Sequence, residues 1–162
     1  MGLFSKKPKM VEIFAPVDGE LIELSKVNDE VFAEKMLGDG LAVIPANGDF
    51  ISPADGELVT VFPSGHAFGL RTSLGAEILL HIGMDTVSLN GDGFDVKVSQ
   101  GQKVKKGEHL VKVDLEKIKS KDLSIQTPIV FTTESMDGKK MEIIKGTGNV
   151  KKGDLIAKII SK

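Results

Sequence analysis

One short pattern occurs twice in the sequence, first as Ala15-Pro16-Val17-Asp18-Gly19-Glu20-Leu21 and again as Ser52-Pro53-Ala54-Asp55-Gly56-Glu57-Leu58. In both copies a Pro-x-Asp-Gly turn leads into a β-type run. A second pair, Val104-Lys105-Lys106-Gly107-Glu108 and Val150-Lys151-Lys152-Gly153-Asp154, also places a turn before such a run. We interpret the pairs as a duplication, which predicts a pseudo-symmetric sandwich with equivalent hairpins packed together. The alternative is convergent turn chemistry, because Asp-Gly and Lys-Gly turns are common.

Short β-type runs bounded by Gly, Asp or Pro follow one another along the chain. Clear examples are residues 19–24, 40–44, 56–62, 77–82 and 109–113. Many short strands of this kind favour an all-β fold, an antiparallel sandwich or barrel. Short helical turns are expected only at residues 29–37 and 115–121.

Length and composition predict a single globular domain. The chain has 162 residues, 41% hydrophobic and 27% charged, which suits one domain with its own core. We expect a loose tail over residues 1–9 and the domain over residues 10–162. Because the chain has no cysteine, disulfides, thiolate metal sites and thiol nucleophiles are excluded.

Charge and aromatic content limit the classes of partner. The net charge is −2, Arg71 is the single arginine, and Trp and Tyr are absent. Nucleic-acid binding is therefore not expected, since it relies on a basic face and on stacking rings. No apolar run reaches the 18 residues of a membrane span, and no signal-type apolar region follows the basic start. We expect a cytoplasmic protein without membrane insertion.

Three histidines are the main candidates for chemistry. His81 interrupts the apolar run 78–83, His66 lies in a loop between two β-type runs, and His109 follows a turn where an exposed histidine is expected. If residues 56–62 and 77–82 form neighbouring strands, His66 and His81 meet at one end of the sheet. The alternative for His81 is a core imidazole whose hydrogen bonds are satisfied.

Two adjacent imidazoles suggest three kinds of chemistry. They can ligate zinc, but a site needs at least three protein ligands. They can activate a nucleophile, but Ser64-Gly65-His66 lacks the context of a nucleophile elbow. One imidazole can itself be the nucleophile and relay a phosphoryl group. Since no phosphate-binding glycine motif is present, a protein partner would have to deliver that group.

Longer motifs around the histidines resemble a known family. They are Ser64-Gly65-His66-Ala67-Phe68, Leu80-His81-Ile82-Gly83-Met84-Asp85-Thr86-Val87 and Leu89-Asn90-Gly91-Asp92-Gly93-Phe94, with further matches at residues 31–40 and 127–130. From about Val11 to Ile160 the chain resembles the glucose-type enzyme IIA family of the bacterial phosphotransferase system. The resemblance implies an all-β sandwich with a duplicated hybrid motif, in agreement with the repeated turns.

The resemblance also implies a phosphotransferase activity and its active-site residues. Members accept a phosphoryl group from the phosphocarrier HPr and pass it to a cysteine of an enzyme IIB domain. His81 matches the phosphorylated histidine of the family, so the resemblance implies a tele-phosphohistidine at this position. His66 matches the second active-site histidine, which stabilises the phosphoryl group. Ser64 stands where the family usually has threonine, and its hydroxyl is expected to orient His66.

A partner-binding surface follows from the same resemblance. Asp29 and Asp85 match two aspartates that flank the site, and Phe32, Phe62 and Leu79 match an apolar docking patch. Regulated proteins outside the phosphotransferase system are further candidate partners. No cofactor is required for this function, although an adventitious or regulatory zinc ion at His66 and His81 stays open.

Two alternatives share a similar β fold. His81-Ile82-Gly83-Met84-Asp85 matches the H-x-x-x-D element of a zinc peptidase, but the H-x-H pair that such enzymes need is missing from the sequence. Met136-Asp137-Gly138-Lys139-Lys140-Met141 faintly resembles the modified-lysine hairpin of a biotinyl or lipoyl carrier domain. A lysine-rich turn of this kind is ordinarily a solvated hairpin.

Overall fold

The computed structural model describes residues 9–162, so the tail expected at residues 1–9 lies outside the described residues except for Lys9. The strands are β1 (Met10–Phe14), β2 (Gly19–Glu23), β3 (Gly38–Pro45), β4 (Asp49–Ile51), β5 (Gly56–Val61), β6 (Ala67–Arg71), β7 (Glu77–His81), β8 (Phe94–Val96), β9 (Lys103–Val104), β10 (His109–Val113), β11 (Thr127–Thr132), β12 (Lys139–Ile143), β13 (Gly148–Val150) and β14 (Leu155–Ser161). The helices are α1 (Glu30–Ala33) and α2 (Leu115–Ser120).

All strand pairs are antiparallel, and they form three sheets. The large sheet has the order β13-β2-β3-β11-β7-β6-β5-β9, and the smaller sheets have the orders β1-β14-β12 and β4-β10-β8. Together the sheets enclose one large apolar core. The all-β antiparallel class predicted from the sequence is confirmed.

The two Pro-x-Asp-Gly segments pair with each other through reciprocal backbone hydrogen bonds. Phe14 N donates to Pro53 O, and Ile51 N donates to Pro16 O, both at 2.8 Å. Each bond is the image of the other when the two repeated segments are exchanged. Convergent turns would not be related by a common symmetry, so this pairing favours the duplication.

The second repeated element joins the first in the same symmetric manner. One Asp18 carboxylate oxygen accepts from Lys152 N, and one Asp55 carboxylate oxygen accepts from Lys106 N, each at 2.8 Å. The bond from Lys152 is also the main reason why the pKa of Asp18 lies below its ordinary value of 3.8. Each Pro-x-Asp-Gly turn therefore holds one Lys-Lys-Gly turn.

Glycine begins the strand that follows each repeated turn because two backbones come close there. A Cβ atom on Gly19 would lie 2.2 Å from Ile44 O, and one on Gly56 would lie 2.3 Å from Arg71 O. Any side chain at either position would push the neighbouring strand away. The glycines thus fix the positions of β2 and β5 in the large sheet.

The central strands of the large sheet are buried on both faces. Leu41 and Ile129 face the main core, whereas Ala42 and Val130 face a second, smaller cluster. This explains why β3 and β11 carry nearly continuous apolar runs instead of an alternating pattern. The second cluster consists of Leu24, Val27, Phe32, Ala42, Met84 and Val130.

The helices begin near the predicted positions, but α1 is shorter than the predicted segment 29–37. Asp29 caps α1 by accepting hydrogen bonds from Val31 N and Phe32 N. The helix ends at Ala33, and Lys35 then adopts a left-handed backbone with φ of 59°. Asp114 caps α2 in the same way. Both caps satisfy backbone N–H groups that a short helix otherwise leaves without acceptors.

We predict that Asp18→Ala lowers the free energy of unfolding by about 1–2 kcal/mol, because it removes the acceptor of a turn N–H group and a bond from Asn47. Urea unfolding at pH 7 measures the change. The Asp95→Ala control loses only an exposed ion pair with Lys97 and should cost less than about 0.5 kcal/mol. Equal costs for the two variants would contradict the role assigned to the turn.

Candidate active site

His66 and His81 meet at one end of the large sheet, although not through the strand pairing expected from the sequence. Residues 56–61 and 77–81 are not neighbours, because β6 lies between β5 and β7. Ala67, the first residue of β6, pairs with His81, and Ile82 N donates to His66 O at 2.7 Å. This hairpin end places the two ring centroids 5.3 Å apart with the planes at 80°.

One hydrogen bond determines which nitrogen of His81 is free. Nδ1 of His81 lies 2.8 Å from Gly83 O. Because a carbonyl oxygen only accepts, Nδ1 must carry the proton, and Nε2 keeps an unshared electron pair. The structure therefore presents Nε2 of His81 as the available nucleophile.

Gly83 has its carbonyl in this position because its backbone is left-handed, with φ of 76°. A Cβ atom at Gly83 would lie 2.6 Å from Cγ2 of Thr86 and 2.9 Å from Ser124 O. Only glycine combines this φ value with so little space.

His66 is buried, with 3% of its surface exposed, and is held by Ser64. The Ser64 hydroxyl lies 2.5 Å from Nδ1 of His66. When that hydroxyl donates to Nδ1 of a neutral ring, the ring proton resides on Nε2. The intervening Gly65 packs tightly, since a Cβ atom there would lie 2.6 Å from Cγ2 of Val96.

Burial keeps both imidazoles uncharged near neutral pH. Burial first, and the neighbouring His81 second, lower the pKa of His66 from 6.5 to about 4. Burial also lowers the pKa of His81, although the Gly83 carbonyl, Asp29 and Asp85 oppose that shift in this order. The site therefore combines a neutral nucleophile with a neutral neighbour.

Two phenylalanine rings lie against the histidines. Phe32 lies 5.1 Å from His81, and Phe62 lies 5.1 Å from His66, measured between ring centroids. Phe62 is exposed, as a docking residue should be, but Phe32 is only 7% exposed. Helix α1 directs the Phe32 ring into the second cluster, where the ring packs beneath His81.

The other residues that the sequence predicted for the docking surface lie at the start of α1, in β7 and in the turn after β7. Asp85 is exposed with a left-handed backbone, Asp29 is half-buried as the cap of α1, and Leu79 is half-buried. Sequence reasoning missed four exposed apolar residues on these segments. They are Val31, Met36, Leu37 and Val87. The signal for them was an apolar residue beside polar ones in a short helical turn or loop.

Other candidate chemistries receive no support from their surroundings. Within residues 9–162, no group of three or more His, Cys, Asp or Glu side chains is placed to hold a metal ion. The Nζ atom of Lys139 donates to Ser135 O and Asp137 O, each at 3.1 Å. This side chain is therefore bound to the backbone and does not extend freely as the modified lysine of a carrier domain would. His109 is exposed on β10, as predicted. In the described part of the chain, no helix is long and apolar enough to span a membrane.

The antiparallel β fold and a neutral histidine with a free Nε2 lone pair define a class of protein that is able to carry a group on this histidine. Comparison with known proteins gives the family. Residues 11–137 match the EIIA 1 family of the phosphoenolpyruvate-dependent sugar phosphotransferase system. This chain belongs to that family. The result favours the resemblance seen in the sequence over the zinc peptidase and carrier-domain alternatives.

Individual relatives agree with this placement. The chain is 52% identical over 149 residues to the glucose-specific EIIA component of Mycoplasma capricolum, covering 92% of this chain and 95% of that protein. It is 48% identical over 135 residues to the glucosamine-specific EIICBA component of Bacillus subtilis, of which it spans 21%. The solved structure of glucose permease IIA from Mycoplasma capricolum superimposes with a TM-score of 0.87 at 51% identity, covering 93% of this chain and 96% of that one.

We predict that His66 stays neutral down to about pH 4, with its proton on Nε2, whereas neutral His81 carries its proton on Nδ1. Long-range ¹H–¹⁵N correlation spectra of histidine-labelled protein report both tautomers and the titration. A His66 midpoint near 6.5, or a His81 ring protonated on Nε2, would contradict the assignment.

The same shift makes the free energy of unfolding depend on pH. The unfolded chain binds a proton at His66 as the pH falls through 6.5, whereas the folded chain does so only near pH 4. The contribution of His66 is therefore complete above pH 6.5 and declines as the pH falls towards 4.

Proposed function

We propose that this chain accepts a phosphoryl group from HPr on Nε2 of His81 and passes it to a cysteine of the enzyme IIB domain of a glucose-type permease. The observation that carries the proposal is the bond from Nδ1 of His81 to Gly83 O, which leaves Nε2 as the nitrogen of that ring with an available lone pair. The proposed glucose specificity follows that of the Mycoplasma relative, which is a glucose-specific EIIA component.

The transfer proceeds as two displacements at phosphorus. In the first, the Nε2 lone pair of His81 forms a bond to phosphorus while the bond to HPr breaks and its electron pair returns to HPr. In the second, the cysteine thiolate of enzyme IIB attacks phosphorus, and the electron pair of the broken bond returns to Nε2. Phosphorylation makes the His81 ring more positive, and the Gly83 carbonyl stabilises that charge through Nδ1–H.

His66 is suited to stabilise the group in transit without trapping it. Its Nε2–H can donate to the phosphoryl oxygens when Ser64 holds Nδ1. Because the pKa of His66 is about 4, the ring donates as a neutral group at pH 7. A fixed cation would bind the phosphoryl dianion more strongly and would lower its tendency to move on. The proposed transfer requires no metal.

The surroundings of the site are suited to basic protein partners. Asp29 and Asp85 supply negative charge, exposed Met36 and Val87 supply apolar surface on the same segments, and exposed Phe62 supplies it beside His66. Carboxylates beside a phosphoryl site are unfavourable in isolation. They become favourable when the partner brings arginine or lysine, because complementary charge speeds association while buried apolar anchors slow dissociation.

We predict that His81→Ala abolishes phosphorylation by HPr, its kinase and phosphoenolpyruvate, because the acceptor nitrogen is lost. His66→Gln should still accept the group, since glutamine offers an N–H donor. The onward step to enzyme IIB should slow by about 10²- to 10³-fold, the usual effect of weakening one stabilising donor. Rapid-quench measurement of each half-reaction gives the rates.

His109→Ala is the matched control, since His109 is exposed on β10 and outside the site. It should label at the wild-type rate and give an acid-labile, alkali-stable product. Full labelling of His81→Ala would overturn the proposal. Loss of acceptance by His66→Gln as complete as that of His81→Ala would show that His66 is an essential proton-transfer or covalent group.

We predict that Asp85→Asn slows association with HPr at low salt by about 2- to 10-fold, and that the difference shrinks as salt screens the charge. Asparagine tolerates the left-handed backbone of Asp85 (φ 58°), so only the charge is changed. Stopped-flow association rates across a salt series measure the effect. Asp95→Asn, at an exposed ion pair with Lys97, is the control, and equal slowing of both variants would exclude a local docking role.

A further inference from the structure

The turn after His81 is stabilised by Thr86, whose hydroxyl forms a hydrogen bond with the backbone and not with either histidine ring. Thr86 is fully buried. Its hydroxyl donates to Ile82 O at 2.5 Å. The N–H group of the same Ile82 donates to His66 O at 2.7 Å. The backbone of Ile82 is therefore fixed at both of its polar groups, by Thr86 on one side and by His66 on the other.

The methyl group of Thr86 packs beside Gly83, the residue that follows Ile82. Its Cγ2 atom occupies the space beside Gly83, where a Cβ atom would lie only 2.6 Å away. A Cβ atom at Gly83 would also lie 2.9 Å from Ser124 O. The same Ser124 oxygen accepts a hydrogen bond from Met84 N at 3.0 Å. Gly83 is thus enclosed, and its carbonyl is kept on the side of His81.

We infer that Thr86 is a positioning residue for the phosphoryl transfer, which holds the Gly83 carbonyl against His81 and thereby keeps His81 in the Nδ1–H tautomer. The inference rests on the proposed function. Without the Thr86 hydroxyl, Ile82 O loses its hydrogen-bond donor in a buried turn, and the turn relaxes until another donor satisfies this oxygen. The His81 proton can then reside on Nε2, which leaves no lone pair there for phosphorus.

The test compares Thr86→Val with a variant that loses an equivalent hydrogen bond elsewhere in the same hairpin. Thr72 is also buried, and its hydroxyl donates to Ala76 O at 2.9 Å at the opposite end of the β6–β7 pair. Thr72→Val therefore removes an equivalent hydrogen bond far from the turn after His81. Thr86→Ser keeps the hydroxyl and removes only the methyl group. Long-range ¹H–¹⁵N spectra at pH 7 report the His81 tautomer in each variant.

We expect Thr86→Val to show a mixture of His81 tautomers and to accept the phosphoryl group about 10-fold more slowly, a loss typical of removing a group that orients a functional histidine. Thr86→Ser and Thr72→Val should retain the Nδ1–H tautomer. Wild-type tautomers in Thr86→Val, or an equal shift in Thr72→Val, would overturn the inference.

Two further measurements keep the result decisive. If Thr86→Val does not fold, the wild-type protein is tested instead. Its Thr86 hydroxyl proton must exchange slowly with water and show an NMR contact to the backbone of Ile82 and Gly83. Fast exchange overturns the inference. The tautomer is observed without any partner, so a wild-type protein that HPr does not phosphorylate would refute the proposed function while leaving the tautomer result intact.

Discussion

The reciprocal hydrogen bonds between the two Pro-x-Asp-Gly segments are the constraint from which the rest of the structure follows. Phe14 and Ile51 donate across the pseudo-twofold relation to Pro53 and Pro16. This pairing sets where β2 and β5 enter the large sheet, and Gly19 and Gly56 allow the close backbone approach that follows. Strands β6 and β7 then extend from β5 in order, so the hairpin end that carries both histidines is placed by a contact between distant parts of the chain.

The site also depends on a sheet that is covered on both faces. Because β3 and β11 bury side chains on either side, a second apolar cluster forms outside the main core. Helix α1 rests on that cluster through Phe32, whose ring lies against His81. The proposed nucleophile, His81, therefore rests on packed apolar side chains, and packed surroundings hold a functional side chain more accurately than a loop does.

The chemistry of the site follows from neutrality combined with fixed tautomers. Burial lowers the pKa of both histidines, and Gly83 and Ser64 engage one ring nitrogen of each. A neutral donor stabilises a phosphoryl group in passage but does not hold it as a buried cation would. The surrounding carboxylates leave the compensating positive charge to the partner, so the transfer is expected to become efficient only within a complex.

The sequence by itself determined the features that depend on neighbouring residues. It predicted the repeated turns, the positions of strands β2, β3, β5, β7 and β10, both helix starts, and the candidates His81, His66 and Ser64. Only the tertiary structure placed β6 between β5 and β7, turned Phe32 inward and showed Thr86 beneath Gly83. Turns and strands are encoded by local residue patterns, whereas strand order and burial depend on which distant segments pack together. The Thr86 hydroxyl reaches Ile82 O over only four residues, but the enclosure of Gly83 also needs Ser124 O, which only the packing of a distant segment brings to this turn.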